Sequence, residues 1–409
     1  MAVAVKSVMA AGARTAEVVS RLDAQVEAAG VTPRFVFAFY GEGHDDALLS
    51  RYLSDRFADA AVVGGTSCSG VMSDRGFGGA DAIGLLLVDD PDGAYGSAAT
   101  KLGDDPAGAA EAALLAALEA AGAPGELPEL VWIYQSPGHE EEVVEGLRRA
   151  VGDRCPVIGG SSADQAVAGR WRQLGPDGPL TDGLVVGVLF SSGGIGFGFQ
   201  GGYEPTGTNG IVTELGFTTG ESGIVTEGAG RHILAIDGEP AARVYNRWIG
   251  ESLPAAVLAR GGTILADTTM CPLGVSEGRV DAVRHFRLIH PDAVTAQGGL
   301  TTFARVERGD RIYGMRGDRE RLVQRVGRVS SAAIAALPGG SGELAGGMVV
   351  YCAGCLLAVG PRIDQVAATA AGSFRGLPFL GCFTFGEQGT ILSRNVHANL
   401  MISAIAFGR

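Results

Sequence analysis

Val62-Val63-Gly64-Gly65-Thr66-Ser67 returns as Val157-Ile158-Gly159-Gly160-Ser161-Ser162. The segments preceding them correspond at the same offset: Phe35-Val36-Phe37-Ala38-Phe39-Tyr40 with Gly43-His44, and Leu130-Val131-Trp132-Ile133-Tyr134 with Gly138-His139. An ungapped repeat keeps strand, helix and turn in step, so each copy reads as one strand-helix-strand unit ending in a glycine loop. Side by side, two such loops could offer backbone amides and hydroxyls to a small ligand.

In the first copy, residues 34–89, Leu48, Leu49, Tyr52, Leu53 and Phe57 recur at helical spacing behind Asp45-Asp46, whose charges favour a helix N-terminus. Ala82 to Val88 is almost wholly apolar, which predicts a strand covered on both faces. The second copy, residues 129–190, has Val143, Val144, Leu147 and Val151 as its helix face and Gly183 to Phe190 as its closing strand. Between them Pro106 to Ala121 predicts a helix stopped by Gly122-Ala123-Pro124-Gly125. Gly193 to Phe199 alternates glycine with Ile or Phe, the pattern of a twisted strand against which something packs closely.

From Gly201 to Gly230 periodicity is poor and Gly and Thr are dense, so the domain boundary is placed there, giving 1–220 and 228–409. Beyond it, Ile233-Leu234-Ala235-Ile236 enters an Asp237-Gly238 turn, and Asp318 to Leu337 predicts a helix. Met348 to Tyr351, a helix at 362–374, Pro378 to Leu380 and Leu400 to Phe407 read as a third, diverged copy. The expected fold is α/β: two domains of repeated strand-helix-strand units with mixed sheets and a ligand cleft between them.

Bulk properties narrow the function. A chain of 409 residues exceeds one core, and 46% hydrophobic content can fill two. Net charge of -13 with no Lys/Arg run argues against nucleic acid. Met1 to Gly30 reads as an amphipathic helix through Val18, Leu22 and Val26 rather than a signal peptide, and no apolar run is long enough to span a membrane. Six cysteines without a disulfide-framework spacing suit a reducing cytoplasm.

The paired glycine loops, the Leu234-Ala235-Ile236-Asp237-Gly238-Glu239-Pro240-Ala241 module, the strand entering Cys352-Ala353-Gly354, and the terminal Gly386-Glu387-Gln388-Gly389 with Asn395-Val396-His397 together resemble FIST proteins, in their N- and C-terminal domain pair. The resemblance implies a cytoplasmic sensory module for small ligands such as amino acids, found fused to or encoded near histidine kinases, cyclic-di-nucleotide enzymes and chemotaxis receptors. It also implies haem as a possible cofactor, since some bacterial members bind it and sense nitric oxide. One departure is Cys355, which stands where members often carry Arg. No kinase or cyclase segment is read in the chain, so the expected partners are a small-molecule ligand and a signalling protein acting in trans.

Candidate chemistry follows. Cys352-Ala353-Gly354-Cys355 joins an apolar strand to a helix, where a dipole can favour thiolate; the competing reading is a buried apolar thiol. Glu387 and His397 flank a hairpin and could serve Cys352 as a base and its orienting group, which makes Cys352, His397 and Glu387 the candidate catalytic set. Gly65, Thr66, Ser67, Gly160, Ser161, Ser162 and Cys355 are the candidate ligand-binding set, against the plainer reading that the glycines permit tight turns. No metal is expected from one Cys-x-x-Cys alone, and covalent c-type haem is excluded because Leu356 follows Cys355 where His is required. Arg284, His285 and Arg287 alternate along a strand, cannot all face one pocket, and are read as surface charges.

Overall fold

The repeat folds into two copies of one unit, and the C-terminal segment supplies a third. In the computed structural model, which describes residues 2–218, 228–338, 340 and 343–409, the first unit is β1 (Ala4–Ala11), α1 (Thr15–Ala29), β2 (Phe35–Tyr40), α2 (Asp46–Arg56), β3 (Ala61–Thr66), β4 (Val71–Ser73), β5 (Gly76–Gly79) and β6 (Ala82–Asp89). The second is β7 (Ala94–Lys101), α3 (Pro106–Ala120), β8 (Leu130–Gln135), α4 (Glu140–Val151), β9 (Val157–Ser161), β10 (Gln173–Gly175), β11 (Gly178–Leu180) and β12 (Gly183–Phe190). The third opens with β13 (Ile195–Gly201) and is interrupted by an insertion. That insertion comprises β14 (Glu204–Thr218), β15 (Gly228–Ile236), β16 (Glu239–Pro240), α5 (Ala241–Trp248), α6 (Ala255–Arg260), β17 (Gly262–Thr263), α7 (Leu265–Thr268), β18 (Leu273–Val280), β19 (Val283–Ile289), β20 (Pro291–Val294), β21 (Leu300–Thr302) and β22 (Arg311–Arg316). The unit resumes with α8 (Arg319–Ala335), β23 (Leu344–Cys352), α9 (Ala353–Val359), α10 (Ile363–Ser373), β24 (Phe379–Thr384), β25 (Glu387–Ile391), β26 (Arg394–Ala398) and β27 (Met401–Gly408).

Register shows how closely the units correspond. Val36 lies opposite Val62 on parallel strands, as Val131 lies opposite Val157; β23 and β24 are likewise parallel, with Cys352 opposite Thr384. In each unit the closing strand, β6, β12 or β27, runs antiparallel between this pair and the opening strand, β1, β7 or β13. The last two strands of every sheet come from another unit. Hairpin β4–β5 pairs with β24, β10–β11 with β3, and β25–β26 with β9. The exchange is cyclic, so each of the three six-stranded sheets holds four strands of its own and two of a neighbour's.

The inner faces of these sheets share one apolar core, where Phe37 meets Trp132 edge-on at 4.9 Å and Phe39 meets Tyr134 at 5.0 Å. Helices α1 and α2, α3 and α4, and α8 to α10 cover the outer faces. The almost wholly apolar β6 and β12 are buried between core and helices, as their composition requires. The insertion forms a separate nine-stranded sheet around Val212, Ile233, Tyr245, Leu273 and Ile312.

The α/β reading with mixed sheets holds, with particular departures. Residues 4–11 form β1 ahead of the expected helix. The stretch of poor periodicity contains β14, whose pairing with β15 and β22 is broken by register shifts; such bulges erase the two-residue alternation by which a strand is read. The proposed boundary itself, between 220 and 228, lies outside the described residues. Among those described, no helix is long and apolar enough to cross a membrane.

Two repeat glycines are there for close approach. A Cβ on Gly64 would sit 1.8 Å from the Ala38 carbonyl oxygen, and one on Gly159 would sit 1.9 Å from that of Ile133. Gly64→Ala should therefore destabilise the protein by about 1–3 kcal/mol, because backbone must move. Gly372, exposed in α10 with nothing within 4 Å, is the control; Gly372→Ala should add up to about 1 kcal/mol through helix propensity. Chemical denaturation of both variants measures the two signs.

Candidate functional site

The strand ends bring most of the candidate residues to one place. Gly65, Gly160 and Cys382 are the positions paired with the exchanged hairpins, and two residues further on stand Ser67, Ser162 and Thr384. Their loops are stitched in a ring. Phe383 N donates to Ser67 Oγ (2.8 Å), Ala163 N to the Thr66 carbonyl (3.2 Å), and Phe385 N to the Ser161 carbonyl (3.1 Å). The glycine loops thus meet the end of β24, where Thr384 lies opposite Cys352 at the end of β23, in a packed ring rather than the expected open cleft.

They do not present free groups. Thr66, Ser67, Ser161 and Ser162 are buried. Thr66 N donates to the Arg172 carbonyl, Ser67 N to Tyr40, Ser161 N to Gly386 and Ser162 N to Gln135. Ser161 Oγ donates to Glu140 (2.8 Å), and Ser162 Oγ accepts from Gln173 Nε2 (2.6 Å). A Cβ on Gly65 or Gly160 would strike Arg172 or Thr384 at 2.3 or 2.4 Å. Here the expectation of exposed amides gives way to close packing, because the exchanged hairpins use the same edge that a ligand would need.

The cysteine segment is buried as well. Cys352 ends β23 with 3% exposure and its thiol is pushed well up by burial, then by Cys355. Glu387 points at it, accepts from Thr384 Oγ1 (2.8 Å) and Met401 N (3.0 Å), and is raised far above the carboxylate range by burial and by Cys352. Cys355 is fully buried, 3.8 Å from Tyr203 Oη. Cys352 and Glu387 are thus both pushed towards their neutral forms, the reverse of an activated nucleophile. His397 does not join them. It lies opposite Gln388, one residue along from Glu387, so strand alternation sends it to the other face of the hairpin. The Cys352-His397-Glu387 constellation is not assembled.

On that other face lies a cleft of about 450 Å³ between α4, β18–β19, residues 305–310 and β26. His397, 3% exposed, lines it. Gln388 Nε2 sits 3.1 Å from Nδ1; when it donates, the imidazole proton resides on Nε2, which has no partner. Beneath runs a buried ion cluster. Glu140 accepts from Gly138 N (3.0 Å), Ser161 Oγ (2.8 Å) and Arg231 (2.8 Å). Glu141 takes Arg231 and Arg305 N (2.6 Å), and Glu142 pairs with Arg305. Burial works to raise both Glu140 and Glu141, yet Arg231 holds them below the ordinary range. Arg231 NH1, Arg305 Nε and Glu142 Oε2 remain buried without partners.

In the cleft wall, Arg287 is paired with Glu277 at 2.8 Å, but Arg394 reaches Glu277 only at 3.9 Å. Among the described residues Glu307 and Asp310 have no cationic partner. The cleft therefore offers unspent charge of both signs beside an unspent imidazole N–H. Sequence reasoning found His397 but missed the rest; Glu140, Glu141 and Glu142 stand in the first turn of α4, where acidic side chains favour the helix N-terminus whatever else they bind. Arg287, read as a surface charge, is 14% exposed in this wall.

Haem does not fit at His397, because a porphyrin needs apolar walls and this cleft is walled by carboxylates and guanidiniums. His44 is bonded to Thr15 and the Asp81 carbonyl, His232 to Thr295, and His290 to the Leu265 carbonyl. Among the described residues no group of three or more His, Cys, Asp or Glu is placed to hold a metal ion.

Comparison with known proteins places this geometry in a family. The FIST N domain matches residues 34–239 and the FIST C domain residues 241–390. No protein of curated function matches. Among solved structures, cyanuric acid hydrolase from A. caulinodans is similar over 99% of both chains, at 11% identity and a TM-score of 0.35. PurLQS from Thermotoga maritima is similar over 78% of this chain and 72% of that one, at 9% identity and a TM-score of 0.20. FIST domains are associated with signal-transduction sensing of small ligands. Matched by both domain models in tandem over most of its length, this chain belongs to the FIST family.

Proposed function

We propose that the protein is a cytoplasmic sensor whose ligand is a small amino-acid-like zwitterion, held in the cleft at His397. The observation that carries the reading is the cleft's unspent inventory: the His397 Nε2–H and Arg394 for a carboxylate, Glu307 and Asp310 for an ammonium group. Ligand binding draws α4, in the FIST N part, towards β18–β19, in the FIST C part. A signalling partner acting in trans reads the altered surface, a shift limited by the ligand's differential affinity for the two states.

A thermal-shift screen of the twenty amino acids tests it. At a concentration 100-fold above Kd, a true ligand stabilises by about 2.7 kcal/mol, a rise of a few degrees. His397→Ala and the Glu307→Gln/Asp310→Asn pair should each weaken that ligand at least tenfold, by roughly 1.4 kcal/mol. The reading fails if no amino acid raises Tm, or if affinity survives both changes. Cys352→Ala should leave the shift intact, and Cys352 should resist a thiol reagent in the folded protein at pH 7. Rapid labelling of Cys352, or an activity lost with it, would restore the cysteine-enzyme alternative.

The ion cluster makes a prediction about pH. Glu140 and Glu141 have depressed folded pKa values, so their contribution is present above the unfolded value of about 4.3 and is lost as pH falls through it and below. Arg231→Gln leaves two buried carboxylates without their cation, costing about 3–5 kcal/mol near pH 7. In that variant stability should fall, not rise, from pH 4 to pH 7, which denaturation across the range will show.

A further inference from the structure

A second groove, also about 450 Å³, flanks the contact between hairpins β18–β19 and β25–β26. Its walls differ in kind from those of the cleft. Phe197 and Phe199 of β13, Phe286 of β19 and Met401 supply rings and a thioether, while Arg284, His285 and Arg325 supply the only ionisable side chains besides Tyr203. No Asp or Glu lines it, in a chain that carries 45 acidic residues against 32 Lys and Arg.

The two guanidiniums are uncompensated. Among the described residues no carboxylate lies within 4 Å of Arg284 or Arg325, whereas Arg287, one turn of the pleat away on the cleft side, has Glu277. Arg325 donates to Gln200 at 3.2 Å, and Arg284 lies 5.0 Å over the Tyr313 ring. Burial, then Arg328 and Arg321 on the same helix, pushes the Arg325 guanidinium below its usual range. Glu204 faces this cluster but is already paired with Arg321. Beside these cations Phe199 is fixed, its ring filling the space over Gly389, where a Cβ would lie 2.2 Å away. Arg325 is half-buried without a counter-ion, which is costly, while the exposed Arg284 donates to Tyr313 Oη; guanidinium beside aromatic faces is suited to a ring that carries an anion.

We propose that this groove binds an aromatic anion, its ring against Phe197, Phe199 and Phe286 and its carboxylate, sulfonate or phosphate at Arg284 and Arg325. Arg284, which the sequence presents as a surface charge, is then a specificity residue, and β19 holds it on the opposite face from Arg287, between two ligand sites.

The probe is 8-anilinonaphthalene-1-sulfonate, an aromatic sulfonate that fluoresces when its ring leaves water, with N-phenyl-1-naphthylamine as its neutral analogue. One sulfonate should bind per folded chain, at least tenfold more tightly than the amine. The Arg284→Gln/Arg325→Gln double variant should lose at least tenfold in affinity, and Arg284→Lys/Arg325→Lys, which keeps the charges, should recover most of it while circular dichroism stays unchanged. His397→Ala should bind the sulfonate like wild type, so this result is independent of the cleft. Absence of sulfonate binding, equal binding of the neutral analogue, or unchanged affinity in the Gln double variant would overturn the proposal.

Discussion

Everything in this molecule depends on the exchanged hairpins. Each glycine strand, β3, β9 and β24, is left at an open edge by its own unit, and that edge is closed by β10, β25 or β4 from a neighbour. An unpaired edge would expose backbone donors and acceptors, and closing it by exchange makes every unit a condition for the next. The glycines follow from this. Gly64 and Gly159 let parallel strands approach, and Gly65 and Gly160 let a hairpin or a facing side chain lie where a Cβ would stand.

The same constraint places the chemistry. Hairpin β25–β26 belongs to the third unit but completes the second unit's sheet, so its two faces serve different ends. Glu387 turns inward to Thr384 and the Cys352 thiol, a buried site that pushes both groups towards their neutral forms; His397 turns the other way, over Glu140 and Glu141, into a charged cleft. One hairpin therefore joins the fused core to the surface where the FIST N and FIST C parts meet. In the proposed reading, the insertion closes against α4, an element that the core holds through its sheet, and so carries the effect of a ligand at His397 to a distant surface.

Much of this was legible in the sequence. The repeat at 62–67 and 157–162 is physical evidence of equal register, and β6, β12 and α8 were readable from apolar composition and helical spacing. The glycine alternation at 193–199 foretold close packing, which α8 supplies: a Cβ on Gly196 would lie 2.0 Å from the Ala333 carbonyl. Exchange was not legible, because a three-residue strand such as β4 has no period to detect and its partner is far away in sequence, Cys382 of β24 lying opposite Val71. For the same reason the cleft was only half visible. His397 stood out beside Glu387, but Arg231 comes from β15, whose bulged pairing hides its alternation, and Arg305 and Glu307 come from the loop between β21 and β22, which has no period. A Gly-Gly-Thr-Ser loop looks alike in sequence whether its amides meet a ligand or a hairpin.

The central claim is that hairpin β25–β26 is part of the second unit's sheet and shares its stability. Native-state hydrogen exchange followed by mass spectrometry tests it directly, since strands of one cooperative unit open together. Peptides covering 387–398 should be as strongly protected as those covering 130–135, and should lose protection together with them in mild denaturant. Fast exchange of 387–398 while 130–135 stays protected would contradict the interlocked architecture, and with it the placement of His397.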